Sequence, residues 1–189
     1  MITAQKVILA SQSPRRRELL HLAEIDFEVI IADTDETFPA GLSFENTAIH
    51  IAKNKALAVK AKSNTDLIII AADTIVICND KIIGKPSNVE NAIEIISELS
   101  GNTHKVVTGV YIMQKEKEIY FADCTEVTFH VLTKTQIEYY VHKYQPFDKA
   151  GAYAIQEWIG AVGIKNINGD FYNVMGLPIS RVVMALQKF

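Results

Sequence analysis

The chain has 189 residues, of which 49% are hydrophobic and 22% charged, with a formal net charge of −3. Such a length and composition belong to an ordinary globular protein with a substantial core, read as a single domain over 1–189. The acidic balance excludes bulk attraction to a nucleic-acid backbone or an anionic membrane. No apolar run reaches bilayer length and no secretory leader opens the chain, so a cytoplasmic protein is expected.

The first strand is predicted over 7–10, followed by Ser11-Gln12-Ser13-Pro14-Arg15-Arg16-Arg17 and a helix over 14–23. Ser13 suits a helix N-cap and Pro14 the first helical position. Three arginines in the first turn lie at the positive end of the helix dipole, an unfavourable place unless an anion joins them. Backbone N–H groups, hydroxyls and guanidinium forks together make a phosphate site. The plain alternative is a solvated basic helix start.

A second strand is expected at 27–31, then a polar loop over 32–42 carrying Asp33, Asp35 and Glu36. Acidic loop residues are usually only solvated, but one could join a second carboxylate around a hard divalent ion. Ser43 caps a long helix reaching about residue 62, with Ala48, Ile51, Ala52, Ala56 and Val59 on its apolar stripe. Lys55 falls roughly 50° from the centre of that stripe, which calls either for an anionic partner or for a stem snorkelling at the core's rim.

Residues 67–78 read as a central strand, and Asp73 interrupts its apolar run beside Thr74. A carboxylate there is costly unless paired, hydrogen-bonded or bound to metal. Asn79-Asp80 turns into a short strand at 81–83, and Gly84-Lys85-Pro86 fixes a loop from which Lys85 can meet a phosphate. A helix over 89–99, a hairpin of 105–115 and 118–131, and a helix over 133–144 capped by Thr133 follow. Gly151-Ala152-Tyr153-Ala154-Ile155-Gln156 ends in an amide that is either a satisfied core group or a reader of a base edge. A second hairpin is predicted from 162–167 and 171–174 around Asn168-Gly169, then a last helix over 178–187. Cys78 and Cys124 read as buried thiols. Strands and helices mix without strict alternation, so the expected fold is α/β, a mixed twisted sheet flanked by helices.

Several of these segments together resemble the Maf nucleotide pyrophosphatases. They are Leu9-Ala10-Ser11-Gln12-Ser13-Pro14-Arg15-Arg16, Glu36, Ala52-Lys53-Asn54-Lys55-Ala56, Ala72-Asp73-Thr74-Ile75-Val76 and Gly84-Lys85-Pro86. Further along come Asp148-Lys149-Ala150-Gly151-Ala152-Tyr153, Ile155-Gln156, Ile167-Asn168-Gly169 and Asn173-Val174-Met175-Gly176-Leu177-Pro178. The resemblance implies two lobes with a central cleft, in a fold of the Maf and ITPase kind. It implies a cytoplasmic homodimer that hydrolyses a nucleoside triphosphate to the monophosphate and pyrophosphate with Mg²⁺ or Mn²⁺. The Tyr-x-Ile-Gln stretch is similar to that of the branch acting on dTTP and UTP, although Glu157-Trp158 stand where small residues are usual.

On that resemblance, Glu36 and Asp73 are expected to hold the metal, with Asp73 as base. Lys55 and Lys85 would neutralise the triphosphate, and Ser11, Ser13, Arg15 and Arg16 would grip the phosphate tail. Arg15, Thr74 and Gln156 match positions tied to substrate choice in that branch, with Gln156 expected to read the base. The rival expectation is a regulatory protein that binds nucleotides and acts on septum formation or cell division without catalysis.

Overall fold

The structure, a computed structural model, describes residues 6–35, 37–63 and 65–189. Its sheet runs β2-β1-β3-β5-β6-β7, with a further strand, β4, on β3. The strands are β1 (Val7–Leu9), β2 (Phe27–Val29), β3 (Ile68–Cys78), β4 (Lys81–Ile83), β5 (Thr103–Gln114), β6 (Lys117–Phe129) and β7 (Ile164–Asn168). The helices are α1 (Pro14–Leu22), α2 (Phe44–Ser63), α3 (Val89–Leu99), α4 (Lys134–Tyr144), α5 (Trp158–Gly163), α6 (Phe171–Met175) and α7 (Ile179–Leu186). β1 pairs in parallel with β2 and β3, whereas β3–β4 and β6–β7 are antiparallel, so the sheet is mixed.

The chain divides into two compact units. The first comprises Met1–Thr74, Thr108–Asp123 and Gly176–Phe189; the second comprises Ile75–Val107 and Cys124–Met175. In the first, α1 and α2 are the crossovers that let β1, β2 and β3 run in parallel. α2 packs Ala52, Ala56 and Val59 against Ile8, Ile69, Ala71, Tyr111 and Met113. Small residues let this helix lie close to the sheet. A Cβ at Gly109 would stand 2.3 Å from the backbone of both Ala48 and Ile49, so only glycine fits that crossing. Burying each large aliphatic side chain here contributes about 2 kcal/mol.

In the second unit, α3 opens on Asn88, whose side chain accepts from the Asn91 amide, and α4 opens on a Thr133/Gln136 capping box. Both are caps that satisfy orphan N–H groups at a helix start. His104, Phe129 and Tyr153 form a buried aromatic cluster with centroids 5.1–5.4 Å apart. Burial pushes the His104 imidazole down to about 4, so it is neutral. Its Nε2 meets the Tyr153 hydroxyl at 2.8 Å.

Most elements fall within a few residues of the sequence expectation; four details do not. Residues 171–174 are helical, not the second strand of a hairpin. The Asp170 Oδ1 accepts from the Tyr172 amide and starts a helical turn, and the buried Asn173 amide donates to the Val106 carbonyl and the Thr125 hydroxyl. Long-range bonds thus override the Asn-Gly signal, and β7 finds its antiparallel partner in β6 instead. Residues 162 and 163 end α5 before the strand begins at Ile164. Ser13 occupies the N-cap position of α1 but its hydroxyl makes no capping bond; its amide donates to the Ser11 Oγ at 3.2 Å. Cys78 is buried as expected, whereas Cys124 is exposed because it lies on the less covered part of β6.

Candidate active site

Parallel pairing gathers the candidate residues of the first unit at one edge. β1 stops at Leu9, in register with Ile70, while β3 continues to Cys78. The Ser11–Arg16 segment leaves the sheet there, and Asp73 and Thr74 follow three and four residues beyond the last paired position. The carboxyl ends of parallel strands are where ligands of open α/β sheets bind, because loops and helix N-termini converge there.

Asp73 and Thr74 are the two half-buried positions in an otherwise buried strand. The Lys55 ammonium, projecting from α2, stands 2.6 Å from the Asp73 Oδ1, with side chains only 18% and 13% exposed. This settles the two sequence alternatives for Lys55 in favour of an anionic partner.

Arg16 is buried, not splayed into water. It donates through Nε to the Gly176 carbonyl at 2.7 Å, through Nη1 to the Ser11 Oγ at 3.0 Å, and through Nη2 to the Thr74 Oγ1 at 3.0 Å. The Thr74 hydroxyl also lies 2.9 Å from that of Thr108. Arg16 therefore fixes the Ser11 turn, β3 and the Gly176 segment to one another. Gly176 has φ +115°, and its carbonyl reaches the guanidinium from that backbone conformation. Arg15 is half-buried in the first turn of α1. Thr108 and Gly176 carried no chemistry in the sequence reading; Gly176 stood in a matching segment, but its carbonyl gives no signal in sequence.

The second unit carries Lys85 and Gln156, both exposed. Gln156 is thus not a satisfied core amide. The Gly151 amide donates to the Gly84 carbonyl at 3.1 Å and ties the two loops together. Gly151 has φ +73°, and a Cβ there would stand 3.1 Å from the Val76 methyls. Glu36 lies outside the described residues. Asp35 is exposed and accepts from the Thr37 amide through Oδ1.

Among the described residues, no three His, Cys, Asp or Glu side chains gather to hold a metal ion. A magnesium ion at a phosphate site takes one or two carboxylates, with substrate phosphates and waters completing its shell. Among the described residues the carboxylate that Asp73 offers fits an ion shared with a bound phosphate.

A lysine–carboxylate pair and an arginine-pinned serine turn at the carboxyl end of parallel strands belong to an α/β protein with a mixed sheet. The fold resembles that of a HAM1 protein from Coxiella burnetii, with a TM-score of 0.52 at 16% identity over 98% of this chain and all of that one. The family model described as Maf-like protein matches residues 6–189, and the chain belongs to the Maf family. It is 50% identical to the dTTP/UTP pyrophosphatase of Cytophaga hutchinsonii, over 96% of this chain and 83% of that one. It is 47% identical to that of Parabacteroides distasonis (97% and 96% covered) and 49% identical to that of Bacillus cereus (98% and 96%).

Proposed function

We propose that the protein is a nucleoside triphosphate pyrophosphatase that hydrolyses dTTP and UTP to the monophosphate and pyrophosphate. The observation that carries this reading is the Lys55–Asp73 pair on the central strand, in a chain about half identical to proteins named for that activity.

Phosphoanhydride hydrolysis asks for charge neutralisation and an in-line water, and little covalent chemistry from the protein. Water oxygen bonds to the α-phosphorus as the bond to the bridging oxygen breaks, and pyrophosphate departs. The Asp73 carboxylate takes the water's proton, while Lys55 on Oδ1 holds the carboxylate in place. Lys55 and Lys85 offset phosphate charge. The Ser11 turn, Ser13 and Arg15 hold the phosphate tail on a frame that Arg16 and Thr74 keep rigid. Asp73, with Glu36, would hold Mg²⁺ or Mn²⁺, which when bound supplies further neutralisation of the phosphate oxygens. Gln156 pairs its amide N–H with a carbonyl of thymine or uracil and its carbonyl with the ring N3–H, an arrangement cytosine opposes.

A carboxylate beside phosphates serves hydrolysis and hinders simple binding, which favours the enzyme over a purely regulatory protein. The same reading includes a cytoplasmic homodimer; among the described residues, no helix is long and apolar enough to cross a membrane. The test is pyrophosphate release from a panel of nucleoside triphosphates, with and without Mg²⁺ or Mn²⁺. Metal-dependent release, fastest from dTTP and UTP, is expected; preferred cleavage of purine nucleotides would overturn the base assignment.

A further inference from the structure

Gln156 stands on a turn whose two ends are held by one hydroxyl. The Glu157 amide donates to the Ala154 carbonyl at 3.1 Å, which closes a β-turn with Ile155 and Gln156 at its centre. The fully buried Tyr140 of α4 accepts from the Ala154 amide at 3.1 Å through its hydroxyl oxygen. The same hydroxyl donates to the Glu157 Oε2. On the other side, the buried Lys149 ammonium stands 3.5 Å from the Glu157 Oε1 and 2.8 Å from the Asp148 Oδ1. Glu157 is thus fixed through both carboxylate oxygens, one residue after the glutamine. From below, α5 leaves no slack: a Cβ on Gly160 would meet the Ile155 carbonyl oxygen at 1.7 Å.

We infer that Tyr140, Glu157 and Lys149 form a clamp that orients Gln156, and that the clamp sets how well the enzyme distinguishes thymine and uracil from cytosine. The inference rests on the base-reading role of Gln156 proposed above. An amide side chain offers a donor on one side and an acceptor on the other, so rotation about its last bond exchanges uracil-type for cytosine-type recognition. Discrimination also requires that the amide meet the base edge at hydrogen-bonding distance, which depends on how firmly the turn beneath it is held. A carboxylate bonded through both oxygens, and a hydroxyl used as donor and acceptor at once, fix the backbone that carries the side chain and so the reach of the amide to the pyrimidine edge. Tyr140, Glu157 and Lys149 are positioning residues; none is assigned to the reacting atoms.

The experiment measures kcat and KM of the full chain for dTTP, UTP, dCTP and CTP, in wild type, Tyr140→Phe, Glu157→Ala and Glu157→Gln. Tyr140→Phe and Glu157→Ala are each expected to lower the UTP over CTP ratio of kcat/KM by about tenfold. The loss should come through a higher KM for UTP, with kcat within about twofold, because Asp73 and Lys55 are untouched. Glu157→Gln keeps an oxygen facing Tyr140 but turns an amide N–H₂ toward the Lys149 ammonium, and should lose part of the ratio, less than Glu157→Ala does. The double variant Tyr140→Phe with Glu157→Ala should lose no more than either single, as expected of groups acting as one unit. An unchanged ratio in both single variants, with only a lower melting temperature, would overturn the clamp. If wild type itself shows no preference for UTP over CTP, the base-reading role of Gln156 fails first, and the clamp with it.

Discussion

Lys55 and Asp73 stand on a 20-residue helix and an 11-residue strand, whereas Gln156 stands on a turn four residues long. In the first unit, regular periodicity does the placing. The 3.6-residue helical repeat turns Lys55 toward the sheet, and the parallel register sets Asp73 just past the end of β1. At the Gln156 turn of the second unit, the backbone follows no repeat. A tyrosine hydroxyl, an ion pair and a glycine with no room for a Cβ hold the turn. One region is placed by local geometry and keeps its shape when a functional group is changed. The other is placed by side-chain bonds, so that altering a bond alters the shape.

That contrast can be broken by substitution. The largest effect is expected for Asp73→Asn. Turnover should fall by a hundredfold or more, from loss of the base, while urea denaturation shows a fold intact. A variant that is both folded and near-normally active would remove Asp73 from the chemistry. Gly160→Ala should do the reverse. The new Cβ meets the Ile155 carbonyl, so stability should fall by about 3 kcal/mol in urea melts, with kcat at saturating UTP little changed. Stability unaffected by this change would mean the turn is not held as tightly as the contact implies.

His104 sharpens the comparison through pH. Its folded imidazole stays neutral down to about 4, against an ordinary value of 6.5. The unfolded chain binds the proton first, so stability from this group is fully present above 6.5 and is lost as pH falls toward 4. The loss amounts to about 2–3 kcal/mol over that window. His104→Gln should flatten this part of the stability–pH curve relative to wild type; curves that stay parallel would deny the burial its effect. The smallest change is expected for Glu138→Gln, which removes an exposed i,i+4 pair with Lys134 on α4. Stability there should shift by less than about 0.5 kcal/mol.

The sequence by itself determined the regular frame and the groups seated on it. The apolar stripe of α2, the single acid in β3, the Ser-Pro-Arg start of α1 and the Asn79-Asp80 turn, with φ of 50° and 58°, all follow from local periodicity and residue conformation. The segments that resemble the Maf pattern extended that to the α/β fold. Only tertiary structure decided what Arg16 does, since its partners Thr74 and Gly176 lie 58 and 160 residues away. It likewise decided that residues 171–174 coil, because the Asn173 Nδ2 donates to the Val106 carbonyl and the Thr125 hydroxyl. It also decided that Glu157 anchors a turn through Tyr140 and Lys149. Hydrogen bonds between distant residues leave no repeat in the sequence; they exist only once packing has brought donor and acceptor within reach and the cost of burying either alone enforces the match.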